Sequence, residues 1–188
     1  MMTASLLAAP KEVMAWDRDE VAAFDRSGED ILVVAHPPVP GLAVAVASAR
    51  VHDFRSGVTR EDADVRAAEA LAALRLDCPA LADDIAGLAR SFLAQFGVEG
   101  ASLRVELVDK TSCPKFHCDN VRVRLVATCY GPGTEYVRVA DPGVVQAAPT
   151  SALVFLKGHR HPAHADAVLH RSPPVPPGGK RLCVILDV

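Results

Sequence analysis

The stretch 121-VRVRLVATCYGPGT-134 decides how this chain folds. Its first ten residues alternate in character until Gly131-Pro132-Gly133 turns the chain. On extended backbone Arg122, Arg124, Val126, Thr128 and Tyr130 share one face. Val123, Leu125, Ala127 and Cys129 take the other. Working outward, SLRVELVDK (102–110), TEYVRVA (134–140), SALVFLK (151–157) and RLCVILDV (181–188) read as further strands, split by loops rich in Pro and Gly.

Upstream of residue 100 Ala and Leu dominate, and the period lengthens toward that of a helix. DILVVA (30–35) reads as one buried strand, and residues 41–50 as an Ala-rich helix. Thr59-Arg60-Glu61-Asp62 is expected to cap a third segment, with Val65, Ala68, Leu71, Ala72 and Leu76 as its apolar stripe. Pro79 opens another helix. Its stripe is Ile85, Leu88, Ala89, Phe92, Leu93 and Phe96, and Gly97 ends it. The pattern predicts an α+β fold: an antiparallel barrel or sandwich from residues 101–188, with residues 1–100 packed on it as a helical and strand layer, the whole forming one structural domain.

Half of the 188 residues are apolar and the formal net charge is −3. No basic stripe runs along the chain, which argues against nucleic acid as a partner. No apolar run reaches the length of a membrane span, and the first residues, with Pro10 and Lys11 interrupting a short apolar stretch, make a poor signal peptide. The five cysteines are odd in number and form no CxxC, as suits reduced thiols in a cytoplasm.

The chemistry concentrates in three places. His117 and Asp119, two apart on extended backbone, point the same way and can hold one ion side by side. His170 follows 53 residues later, and Arg181 eleven after that. Two histidines and a carboxylate on one face of an ion leave the opposite positions open, the ligand set of non-haem Fe(II) oxygenases. The open positions accept a 2-oxo acid, whose distal carboxylate suits the planar fork of an arginine. Lys180 is the rival of Arg181 for that task. Arg124, Thr128 and Tyr130 offer a cation and two hydroxyls if their face lines the barrel. Arg171, Ser172 and Lys115 flank the ligands and are expected to orient them or to meet substrate. Cys113 is near enough to bring a thiolate, which would favour zinc. His159, His161 and His164 form a His-rich loop suited to a metal or to a mobile lid.

These strings carry a resemblance. HCDN (117–120), Arg124, TCY (128–130), GPGTE (131–135), LKG (156–158) and HRSPP (170–174) resemble a bacterial domain-of-unknown-function family often encoded near zinc-handling GTPases. More distantly, HxD, a long gap, His and then a basic residue resemble the 2-oxoglutarate/Fe(II) dioxygenase superfamily of prolyl-hydroxylase type. That resemblance implies a double-stranded β-helix, a jelly-roll or cupin-like barrel. It also implies Fe(II) held by His117, Asp119 and His170, and 2-oxoglutarate gripped by Arg181 with help from Tyr130. The product would be a hydroxylated small molecule or protein side chain. The alternative is a non-catalytic zinc-binding or metal-homeostasis protein on the same fold.

Overall fold

The computed structural model describes residues 14–188; the expectation about a leader falls outside them. The elements run α1 (Arg18–Arg26), β1 (Ile31–Val34), α2 (Leu42–Ser48), β2 (His52–Thr59), α3 (Ala63–Leu74), α4 (Pro79–Phe96), β3 (Gly100–Val108), β4 (Val123–Tyr130), β5 (Glu135–Arg138), β6 (Asp141–Ala147), β7 (Leu153–Lys157), β8 (Val168–Arg171) and β9 (Arg181–Asp187). One antiparallel sheet has the order β1-β7-β4-β9-β3-β2, and a smaller one β6-β5-β8. The decisive stretch is thus an inner strand of the larger sheet. Among the described residues the two sheets are not joined by strand pairing, so of the barrel or sandwich expected the structure shows a pair of facing sheets backed by helices.

Period-2 alternation sorts the larger sheet's side chains. Leu125, Ala127, Leu153, Phe155, Leu182, Val184, Leu186, Leu103, Val105 and Leu107 pack against Ile85, Leu88, Phe92 and their neighbours on the helices. Phe155 is fully buried at the centre, with the ring of Trp16 edge-on at 5.0 Å and those of Phe24 and Phe96 at 6.5 Å. Phe155→Ala is expected to cost about 3–5 kcal/mol in urea unfolding, because three rings would line the void. The opposite face carries Val126, Val154, Leu156, Cys183 and Ile185. There it meets Tyr136 and Val168 of the smaller sheet.

The helix after Pro79 forms as expected: its whole stripe is buried, and Gly97 closes it in the left-handed region at φ 63°. The preceding helix differs in phase. Its buried residues are Ala63, Ala67, Ala70, Leu71 and Leu74, whereas Val65 is 56% exposed. In an Ala-rich segment two stripes score alike, and packing on α4 selects the smaller side chains. Thr59 belongs to β2. Its backbone N–H and hydroxyl donate to Asp62 Oδ1, and Asp62 N–H donates back to the Thr59 hydroxyl, so the pair clasps the turn and not the helix end.

Candidate metal centre

A short segment, Phe116 to Asp119, extends the smaller sheet. His117 N–H donates to the His170 carbonyl at 3.0 Å, and His170 N–H returns the bond to His117 at 2.9 Å. This two-way bridge puts the side chains of His117 and His170 next to each other, ring centroids 4.6 Å apart. Asp119, two residues on, joins them: one ligand atom from each of the three lies within 4.8 Å of the others. The convergence was legible in the sequence; the backbone bridge that enforces it was not.

The donor set fits a cation. His117 Nδ1 donates to the Lys115 carbonyl at 2.9 Å, which leaves the Nε2 lone pair facing the cleft. Lys115 therefore acts through its main chain. Asp119 Oδ1 takes the Arg124 Nη1 at 2.6 Å, while Oδ2 is buried and receives no hydrogen bond, although His170 Nε2 stands 3.0 Å away. A buried carboxylate oxygen beside the His170 imidazole with no aligned hydrogen bond is what an ion would satisfy. Burial alone would raise the Asp119 carboxyl. The contact with His170 and the charge of Arg124 outweigh it and hold the carboxyl below its ordinary range. Burial pushes His170 down, against the pull of Asp119. Both directions favour an ionised carboxylate beside a neutral imidazole.

His117 and His170 line a cavity together with Arg104, Glu106, Arg124, Thr134, Arg171 and Arg181, and Cys113 and Ser172 also border it. Arg181 is 3% exposed. It donates to the Pro132 carbonyl and to the hydroxyls of Thr128 and Thr134, and its Nη1 faces Glu106 Oε1 at 3.8 Å. Arg124 forks onto Asp187 at 2.6 and 2.7 Å, its direct cross-strand partner. Arg171 bonds Glu135 at 2.7 Å and stacks on Phe116 at 4.3 Å. Arg104 bridges Asp53 and Glu106. With Arg55, which also bonds Asp53, five guanidinium groups meet five carboxylates, Asp53, Glu106, Asp119, Glu135 and Asp187.

Other expected residues separate. Lys180 turns away and donates to the carbonyls of Val46, Ala47 and Ala49 at the end of α2, whereas Arg181 lines the cavity. Tyr130 does not share the face of Arg124 and Thr128. The register shifts between Thr128 and Tyr130, and the ring packs on the helix side. Arg122 also leaves that face, lying near Asp25 and over Phe96. Arg104 and Glu106 were missed, since SLRVELVDK alternates but does not say which side is in.

The unusual strings have steric reasons. A Cβ on Gly133 would overlap the Ala148 carbonyl. One on Gly158 would overlap the Val121 carbonyl and come within 2.6 Å of that of Asp119. Gly158→Ala is therefore expected to push the 119–121 backbone outward, at about 1–3 kcal/mol and with weaker metal binding. Thermal unfolding with and without Mn(II) would show both, and unchanged metal-induced stabilisation would refute the link.

Fold and cluster together define the class: a helix-backed pair of antiparallel sheets carrying two histidines and a carboxylate in the cleft. The chain belongs to the family described as Protein of unknown function (DUF1826), whose model matches residues 3–187. Among solved structures it is similar to the dioxygenase for auxin oxidation of rice (15% identity, TM-score 0.50, covering 90% of this chain and 77% of that one). It is also similar to the viral collagen prolyl hydroxylase of Paramecium Bursaria Chlorella virus-1, in complex with 2OG (12%, TM-score 0.48, 85% and 95%). A third likeness is to a Pseudomonas putida prolyl-4-hydroxylase (16%, TM-score 0.45, 90% and 95%). Comparison with curated proteins finds no match. No helix among the described residues is long and apolar enough to cross a membrane.

Proposed function

We propose that this protein is a non-haem Fe(II)- and 2-oxoglutarate-dependent oxygenase on a double-stranded β-helix, hydroxylating a small molecule or a protein side chain. The observation that carries the reading is the convergence of His117, Asp119 and His170 beside the unbonded Asp119 Oδ2, with both imidazoles lining a cavity whose wall also holds Arg181. Bound by those three side chains, the metal would supply open coordination positions for a 2-oxo acid and dioxygen, and with them the oxidising power for C–H hydroxylation.

The chain's own residues do the rest. The Lys115 carbonyl fixes the tautomer of His117. Arg124, anchored on Asp187, holds Asp119 ionised and in place. Arg181, held in place by Thr128, Thr134 and Pro132, is set to take the distal carboxylate of 2-oxoglutarate in place of its long contact with Glu106. Thr128 supports that arginine and does not touch the anion in this reading. Arg171 and Ser172, which line the cavity, would meet substrate.

Anaerobic addition of Fe(II) and 2-oxoglutarate should raise a weak visible charge-transfer band, and air should then release succinate. Absence of both would refute the reading. A second reading, a non-catalytic zinc-binding protein, draws on Cys113, whose Sγ lies 3.7 Å from His117 Nδ1. Tightly held zinc with no affinity for 2-oxoglutarate would favour it.

A further inference from the structure

Alternation along the extended segment sends His117 and Asp119 into the cleft and Cys118, between them, to the other side. There Cys118 meets the loop between β7 and β8. Its Sγ is 3.8 Å from His164 Nε2. The ring of His159 stands edge-on to that of His164 with centroids 5.1 Å apart, and one ligand atom from each of the three residues lies within 4.8 Å of the others. Asp166 Oδ1 reaches the same point, 2.9 Å from His164 Nε2 and 3.7 Å from His159 Nδ1.

The loop is built to hold this arrangement. His159 N–H donates to the Asp119 carbonyl, tying the loop to the metal-binding segment. Asp30, 1% exposed, accepts the N–H groups of Ala165 and Ala167 and so fixes the backbone on both sides of Asp166. Its Oδ1 also stands 3.3 Å from His164 Nδ1, a buried nitrogen with no aligned hydrogen bond. A slight turn of the ring toward an ion at Nε2 would align Nδ1–H with Asp30, the carboxylate–histidine pairing usual behind metal ligands. His161 takes no part. Its Nε2 lies 3.0 Å from Asp25, and its Nδ1 accepts the Ala163 N–H.

We infer that Cys118, His159 and His164, with Asp166 as a fourth donor, form a second metal site, selective for zinc or a similar thiolate-binding ion, on the side of the segment opposite the cleft. Zinc–sulfur and zinc–nitrogen bonds of about 2.3 and 2.0 Å at a tetrahedral angle place those atoms about 3.5 Å apart. The observed 3.8 Å needs almost no movement. A thiolate with imidazoles disfavours magnesium and calcium, which take oxygen donors. The proposal stands apart from the oxygenase reading, since it uses none of the cleft ligands.

Metal-stripped full-length protein titrated anaerobically with Co(II) should bind two equivalents. One should give a thiolate-to-cobalt absorption in the near ultraviolet that zinc erases. His159→Ala, half-exposed and remote from the cleft, should weaken that equivalent by at least about tenfold, and Cys118→Ser and His164→Ala should abolish the band. Cys113→Ser and His170→Ala should keep it. Should the band be missing in the parent protein, vanish with Cys113→Ser or survive His159→Ala undiminished, the site is overturned. Loss of the other equivalent alone would count against the cleft centre and leave this one standing.

Discussion

Asp119→Ala protein should fold, melt close to the parent and bind Fe(II) or Mn(II) at the cleft at least about a hundredfold more weakly, with 2-oxoglutarate-dependent succinate falling to background. The fold should survive because Arg124 keeps its two-point bond to Asp187, so no guanidinium is stranded. The metal should be lost because the remaining ligands would be two neutral imidazoles, with no charge to offset the desolvation of a dication. Anaerobic calorimetry with Mn(II) gives the affinity, and circular dichroism checks the fold. Parent-like affinity would show that the ion, if any, sits elsewhere.

Arg181→Met should do the reverse, harming the fold as well as the function. Arg181 and Glu106 are both about 3% exposed, and the arginine supplies three hydrogen bonds to one carbonyl and two threonine hydroxyls. Removing it leaves Glu106 facing Arg104 alone, and breaking a buried ion pair by deleting one partner costs about 3–5 kcal/mol. Urea unfolding should therefore shift strongly, and 2-oxoglutarate should no longer protect the protein. The double variant Arg181→Met with Glu106→Gln should recover part of the stability and none of the 2-oxoglutarate binding. Glu106→Gln alone should bind 2-oxoglutarate more tightly than the parent, since the side chain that competes for Arg181 has lost its charge. Weaker binding there would mean that Glu106 orients the arginine and does not rival it.

His117 and Asp119 could be paired because extended backbone repeats every two residues, and the inner strands because burial on one face imposes the same period. That period also put Cys118 on the far side, away from His117 and Asp119. It did not say what would meet it there, because His159 and His164 arrive through a loop with no period at all. The three histidines read as one cluster divide, two toward Cys118 and one toward Asp25. Tyr130 was misplaced by a bulge, a local insertion that hydrophobic pattern does not register. The strand His52–Thr59 has only Val58 buried and the strand Asp141–Ala147 none of its residues, so neither carried an apolar signal. Glu106 escaped notice because a lone acid in an alternating strand reads as solvent-facing until Arg104 and Arg181 are placed around it.

The metal centre is tested most directly by anomalous-scattering maps from crystals loaded anaerobically with Fe(II) and 2-oxoglutarate. The account predicts an iron peak within bonding distance of Asp119 and of one ring nitrogen each of His117 and His170, with a carboxylate of the oxo acid on Arg181. An iron-free cleft in well-loaded crystals, or iron found only beside Cys118, would contradict it.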